Sequence, residues 1–166
     1  MATSSQSSHP KPEYVAQLEA VYGAPSQAGF GSAVFYEPVE QADDLDAIAL
    51  KYYRYFVGDL WERFGEAAWM GPWKSVYARQ AGSQPDIVTE LRAIADPDAR
   101  LSVPMILDNI SDPETAQQAL SAAYDDATVE TLAVVYTLGD GEAMSGLLLA
   151  GRRNTGETTF LVFLLD

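Results

Sequence analysis

Cysteine is absent from this chain, and histidine occurs once, at His9. Without cysteine the chain can form no disulfide, thiolate nucleophile or thiolate metal site. Because His9 lies in a Ser-rich N-terminal segment, we expect no histidine metal site and no Ser-His or Cys-His catalysis in the folded part. The sequence therefore predicts no metal site, no cofactor and no catalytic residue, which favours a protein that is not an enzyme but leaves the question open.

Basic residues are also scarce. Lys and Arg number 10 against 24 Asp and Glu, so the net charge is −14 at pH 7. Phosphate binding requires clustered Lys and Arg, and anionic bilayers repel acidic chains, so we expect no nucleic-acid partner and no membrane partner. No apolar run reaches about eighteen residues, and the N-terminus has no apolar signal-peptide core. These features predict a soluble, cytoplasmic protein.

Apolar residues make up 48% of the chain, which is enough for a buried core. Residues 1–12 are mostly polar and are predicted to form a flexible tail. Residues 13–166 show helical patterns first and strand patterns last, which is typical of a single α+β domain. We therefore expect N-terminal and central helices packed on a C-terminal antiparallel meander of three or four strands.

The predicted meander occupies residues 131–138, 144–152 and 158–165, with turns at 139–141 and 154–156, where Gly and Asn tolerate positive φ. Alternate side chains of a strand point to opposite faces of the sheet. In the third strand, Phe160, Val162 and Leu164 therefore oppose Leu161, Phe163 and Leu165. Because both faces are apolar, helices of the same chain or a second subunit must cover each one. The number of predicted helices favours the first alternative, and a monomer or a homodimer is expected.

Hydrophobic periodicity and capping residues place the remaining elements. Helices are predicted over residues 13–22, 41–66, 83–95 and from the Ser111 capping box to Tyr124, with one further helical turn at 74–78. Residues 33–36 are expected to form a short strand at the sheet edge. Residues 103–110 could form a short helix or a strand, and the helix is favoured.

Aromatic residues are concentrated between Tyr52 and Tyr77, which hold all three Trp of the chain. This cluster could be core packing, or it could form a pocket or a contact surface. Trp69 and Trp73 flank Gly71-Pro72 in a predicted loop, and exposed Trp is typical of interface hot spots.

Acidic residues are concentrated between Asp86 and Glu142, a segment that contains twelve acidic and two basic residues. Such a segment is either a solvated helical surface or a docking surface for a basic protein. Together with the aromatic cluster, it predicts a partner-binding set of seven residues: Trp69, Trp73, Tyr77, Asp96, Asp98, Asp125 and Asp126.

Two hypotheses of function follow. The first is an acidic, soluble protein-binding module with a basic protein partner, acting as an inhibitor, an immunity protein or a regulator. The alternative is a small-ligand-binding or enzymatic α+β domain. Its aromatic-lined pocket would lie between the central helix and the sheet, with Tyr52, Tyr55 and Trp61 on the wall and an Asp or Glu as base.

Overall fold

The computed structural model describes residues 11–27, 31–65, 67, 69, 73–79, 84–108, 110–139 and 144–165. The described helices are α1 (Glu13–Tyr22), α2 (Leu45–Val57), α3 (Leu60–Phe64), α4 (Ile87–Arg92), α5 (Pro97–Leu107) and α6 (Pro113–Tyr124). The described strands are β1 (Gly31–Pro38), β2 (Lys74–Ala78), β3 (Val129–Gly139), β4 (Met144–Arg153) and β5 (Glu157–Leu165). Most of the predicted tail and most of the first predicted turn lie outside the described residues.

The five strands form one antiparallel sheet in the order β1-β5-β4-β3-β2. The meander β3-β4-β5 is confirmed and forms its centre, with Leu149 paired to Val134 on one side and to Leu161 on the other. The predicted edge strand at 33–36 is confirmed as part of β1. The sheet nevertheless has five strands rather than three or four, and two of them come from the first half of the chain.

The strand that the sequence did not predict is β2. Residues 74–78 were predicted to form a helical turn, and this prediction is wrong. This segment pairs antiparallel with β3, with a register shift between Ser75 and Tyr77. Five residues are too few to show a helical or strand period, so the available edge of β3 decides their conformation.

Helices cover both faces of the sheet. On one face, sheet residues including Val134, Leu149 and Leu161 pack against α1, α4, α5 and α6. On the other face, Leu148, Phe160 and Val162 pack against α2 and the rings of Trp61 and Trp69. The expectation that helices of the same chain cover the sheet is confirmed, because the described apolar side chains of the central strands are buried against them, apart from the half-buried Ala133.

The single central helix predicted for 41–66 is wrong, because the structure divides it. A 3₁₀ turn over Ala42–Asp44 precedes α2, and α3 follows a break at Gly58. Gly58 has φ +66°, a conformation that residues with a Cβ rarely adopt, and it caps α2 by donating its N–H to the Arg54 carbonyl.

Aspartates begin the later helices. Asp86, Asp96 and Asp112 are the N-caps of α4, α5 and α6, and each carboxylate accepts a hydrogen bond from a backbone N–H of the first turn. The helical interpretation of 103–110 is confirmed for most of the segment, but α5 begins earlier, at Pro97. Ser111 was predicted to be the N-cap of α6, but the N-cap is the next residue, Asp112. No described helix is long and apolar enough to cross a bilayer.

Candidate functional site

An aromatic cavity opens between β1, α2 and the loop that follows α1. Its volume is about 360 Å³, and its lining residues are Pro25, Phe35, Tyr36, Lys51, Tyr52 and Tyr55. Consecutive strand residues point to opposite faces, so Phe35 and Tyr36 can line one cavity only where a sheet ends. The cavity therefore forms for two reasons. β1 is an edge strand, and residues 51, 52 and 55 have a spacing that places them on one side of α2.

The walls of the cavity are aromatic rings held by mutual contact. The rings of Phe35 and Tyr52 stack with centroids 4.7 Å apart, and Tyr52 also lies 5.1 Å from Phe160 of the core. Tyr55 stands perpendicular to Phe35 at 5.9 Å and is 48% exposed. Such a wall offers apolar and π contacts to an entering side chain or ring, and its inner part is fixed by the core.

The charged groups beside the cavity neutralise one another. Lys51 Nζ lies 2.8 Å from Glu37 Oε1, the same oxygen that accepts a hydrogen bond from the Tyr52 hydroxyl. Burial raises the pKa of Glu37, but the hydrogen bonds from Lys51 and Tyr52 outweigh it and leave the pKa below its usual value. Burial and the bond to Glu37 raise the pKa of Tyr52. Glu37 is thus ionised and engaged at neutral pH, which suits a structural role better than that of a general base.

Two of the three predicted pocket residues line this cavity, and the third does not. Tyr52 and Tyr55 are on its wall, whereas Trp61 is 4% exposed and stacks on Trp69 with centroids 6.0 Å apart. The space between α2 and the sheet is filled by buried rings, including Tyr53, Phe56 and Phe160. The prediction of a pocket between helix and sheet is therefore wrong in position, and the cavity lies at the sheet edge instead.

The expectation that Trp69 is an exposed loop residue is also wrong. Trp69 is fully buried, and its Nε1 donates a hydrogen bond to the Trp61 carbonyl at 3.1 Å. Trp73 is partly buried, with its ring centroid 5.4 Å from that of Tyr53. Tyr77 packs against the opposite face of the sheet. The structure therefore does not bring the three predicted aromatic anchors together on one surface.

Each acidic residue of the predicted partner-binding set lies within 4.0 Å of a cation in its own chain. Lys74 Nζ is 2.8 Å from Asp96 and 3.6 Å from Asp98. The Arg79 guanidinium is 3.6 Å from Asp125, and the Arg153 guanidinium is 3.6 Å from Asp126. These contacts reduce the negative charge that the four residues present to a partner; their role in binding stays a prediction.

A buried ion pair between Arg79 and Glu90 ties β2 to α4 and α6. Two nitrogens of Arg79 contact the two carboxylate oxygens of Glu90 at 2.8 and 2.5 Å, and Nη1 donates to the Tyr124 carbonyl at 2.8 Å. The Tyr77 hydroxyl donates to Glu90 at 2.6 Å. Every polar group in this cluster serves the fold, so it offers no open reactive site.

Asp125, a carboxylate with a raised pKa, lies beside this cluster and not in the aromatic cavity. Burial raises its pKa, although it accepts a hydrogen bond from the Ile87 N–H at 2.7 Å. Within the described residues, no group of three or more His, Cys, Asp and Glu side chains is arranged to hold a metal ion.

Sequence reasoning missed Pro25, Phe35, Tyr36 and Lys51 as cavity residues. The strand signal at 33–36 was present in the sequence, but nothing local indicates that α2 lies beside that strand. Comparison with family models, curated proteins and solved structures found no match to this chain.

Proposed function

We propose that this chain is a non-catalytic, cytoplasmic protein that binds a basic protein and acts on it as an inhibitor, an immunity protein or a regulator. The observation that carries the proposal is the surplus of exposed carboxylates without an ion-pair partner in the described part of the chain. These residues are Glu13, Glu40, Asp43, Asp44, Asp46, Asp59, Glu62, Asp86, Asp112, Glu114 and Glu130.

A surface with this excess of negative charge attracts positively charged proteins over distances of about 8 Å at physiological salt. Complementary charge accelerates encounter and selects among partners more than it adds affinity. A catalytic role has less support, because Lys51 and Tyr52 hold the carboxylate beside the aromatic cavity and lower its pKa, which makes it a weaker base.

The test is affinity capture on the immobilised full chain from a native lysate, at low and at high salt. An unrelated protein of similar net charge, immobilised in the same way, identifies proteins captured by ion exchange alone. We expect a basic protein to be retained on this chain only, at low salt. With that partner purified, the association rate should fall steeply as salt rises, with a smaller change in the dissociation rate. A tight complex whose association rate does not depend on salt would contradict the proposal.

A further inference from the structure

The outer edge of β1 lies beside the aromatic cavity and pairs with no other described strand. The Val34 N–H donates to the Gly23 carbonyl at 3.0 Å, so this N–H points away from β5. Alternation along an antiparallel strand places the Tyr36 N–H on the same outer side. Among the described residues, no backbone carbonyl outside the β1–β5 pairing accepts a hydrogen bond from it. Pro38, two residues further, has no N–H and ends the open stretch. A short extended segment could therefore pair with Tyr36, a residue that also lines the cavity.

Two exposed carboxylates, Asp44 and Asp46, lie at the N-terminal end of α2, the helix that lines the cavity. Asp44 is the N-cap of α2 and precedes Lys51 by seven residues and Tyr55 by eleven, spacings that place all three near one side of α2. The rise of a helix puts Asp44 about 10 Å from Lys51 along the axis. Asp46 is equally exposed, but it lies about 200° around the helix from Asp44. Neither aspartate forms an ion pair with a described residue.

We infer that the cavity between β1 and α2 is the docking site for an extended, basic segment of the partner protein. One apolar or aromatic side chain of the segment enters the aromatic cavity, and its backbone pairs with Tyr36. Lys51 does not repel the segment, because Glu37 neutralises it. An extended chain advances about 3.3 Å per residue, so a Lys or Arg about three positions from the anchor reaches Asp44. This inference rests on the proposed function and gives its partner a chemical pattern.

The first experiment is an NMR titration of the ¹⁵N-labelled full chain with three synthetic peptides. The probe is acetyl-Trp-Gly-Gly-Lys-Lys-Lys-amide. One control replaces Trp by Ala, and the other replaces the three Lys by Glu. We expect the probe to shift the amide signals of Phe35, Tyr36, Tyr55 and Asp44. Its affinity should exceed that of the Ala peptide at least about tenfold, the effect of burying a large apolar side chain. The Glu peptide should not bind detectably.

Matched variants test the same geometry. Tyr55→Ser should weaken binding of the probe at least about fivefold, because it removes part of the cavity wall. Leu101→Ser removes another exposed apolar side chain, 75% exposed on α5, and should have no effect. Asp44→Asn should weaken binding about two- to threefold, whereas Asp46→Asn, with the same charge change on the other side of α2, should not. All four substituted positions are exposed, so the variants should fold.

Several outcomes would overturn the docking site. One such outcome is that the Trp and Ala peptides bind with equal affinity and shift only signals of α4, α5 and α6. Basic segments would then bind elsewhere on the protein, and the proposed function would still hold. An absence of any shift with the probe, or equal loss in Tyr55→Ser and Leu101→Ser, would also refute it. By contrast, the proposed function itself would be contradicted if the association rate of a captured natural partner did not depend on salt concentration.

Discussion

At the scale of single residues, the Arg79–Glu90 pair shows how a charge is kept inside the fold. The side chains are 2% and 10% exposed, and Glu90 also accepts hydrogen bonds from Tyr77 and the Asp86 N–H. Removing a charge from water is costly, so such a pair is stable only when both partners and their hydrogen bonds are present.

Glu90→Gln should lower the free energy of unfolding by about 3–5 kcal/mol, because the buried Arg79 guanidinium loses its closest counter-charge and keeps only the more distant Asp125, at 3.6 Å. The measurement is urea unfolding at neutral pH. Glu114→Gln, the same change at an exposed position, is the control and should stay close to wild type. If both variants were equally stable, the ion pair would not be a main support of β2.

The pair also predicts a pH dependence. Burial raises the pKa of Glu90, but hydrogen bonds from Arg79 and Tyr77 outweigh it, so the folded-state pKa lies below the ordinary value of 4.5. The folded state then binds fewer protons than the unfolded state, and this stabilisation is complete above pH 4.5 and is lost as the pH falls. Asp125, whose pKa is raised, acts in the opposite direction. Stability curves of wild type and Glu90→Gln should therefore converge below pH 4.5; parallel curves would contradict this assignment.

A second residue-scale prediction concerns Gly151 of β4. A Cβ at this position would lie 2.6 Å from Cδ1 of Tyr124, whose ring is fully buried. Gly151→Ala should therefore cost about 1–3 kcal/mol through overpacking, measured by thermal or urea unfolding. In a Tyr124→Leu background the same change should cost less, because the ring that blocks the Cβ is gone. Equal costs in the two backgrounds would exclude this contact as the cause.

At the scale of elements, capping residues decide where the helices begin. The Asp112 carboxylate accepts hydrogen bonds from the Thr115 N–H at 3.2 Å and from the Thr115 hydroxyl at 2.8 Å. Those bonds lower its pKa. Ser111 fits the capping-box pattern with Glu114, yet the helix begins one residue later, with Pro113 at its first position.

Asp112→Ala should lower the free energy of unfolding by about 1 kcal/mol, the usual cost of losing an N-cap. Ser111→Ala is the matched control, and we expect almost no change, since Ser111 is exposed and does not cap α6. Chemical denaturation of the two variants checks the assignment, and the reverse order of effects would favour the cap that the sequence pattern indicates.

At the scale of the whole molecule, the three layers leave no described sheet face open. Helices α1, α4, α5 and α6 cover one side, and α2 with the Trp61–Trp69 pair covers the other. The hydrophobic contribution of the sheet is therefore realised within one chain, and a second subunit is not needed to bury it.

We expect the full chain to be a monomer of 18.0 kDa in light scattering over a wide range of protein concentration. The high net negative charge should also oppose self-association at low salt. A dimer that persists on dilution would require a surface other than the sheet faces. If Tyr55→Ser dissociated that dimer, a second copy of the chain would be the occupant of the aromatic cavity.

How much of the fold could be predicted depends on how local its signal is. The alternation of Phe160, Leu161 and Val162, the helix over 13–22 and the strand at 33–36 are visible in short windows of sequence, and the structure confirms them. The helical turn at 74–78 was wrong because its five residues have no periodicity of their own. The break in the central helix was missed at Gly58, because a single Gly is tolerated within a helical pattern.

The candidate site was predictable only in part for the same reason. Tyr52 and Tyr55 stood out as aromatic residues on a predicted helix, but Trp69 was placed in an exposed loop, and Phe35 and Tyr36 were not connected to the helix.

The amino-acid sequence alone determined that this protein is an acidic α+β domain whose central strands are apolar on both faces, because composition and side-chain alternation are properties of neighbouring residues. Only the tertiary structure decided which aromatic rings are buried, which acids are paired with a cation, and that β1 and α2 enclose a cavity. Those outcomes depend on which distant segments meet: β1 pairs with β5 and α2 packs on β4 and β5, and this arrangement brings β1 and α2 into contact.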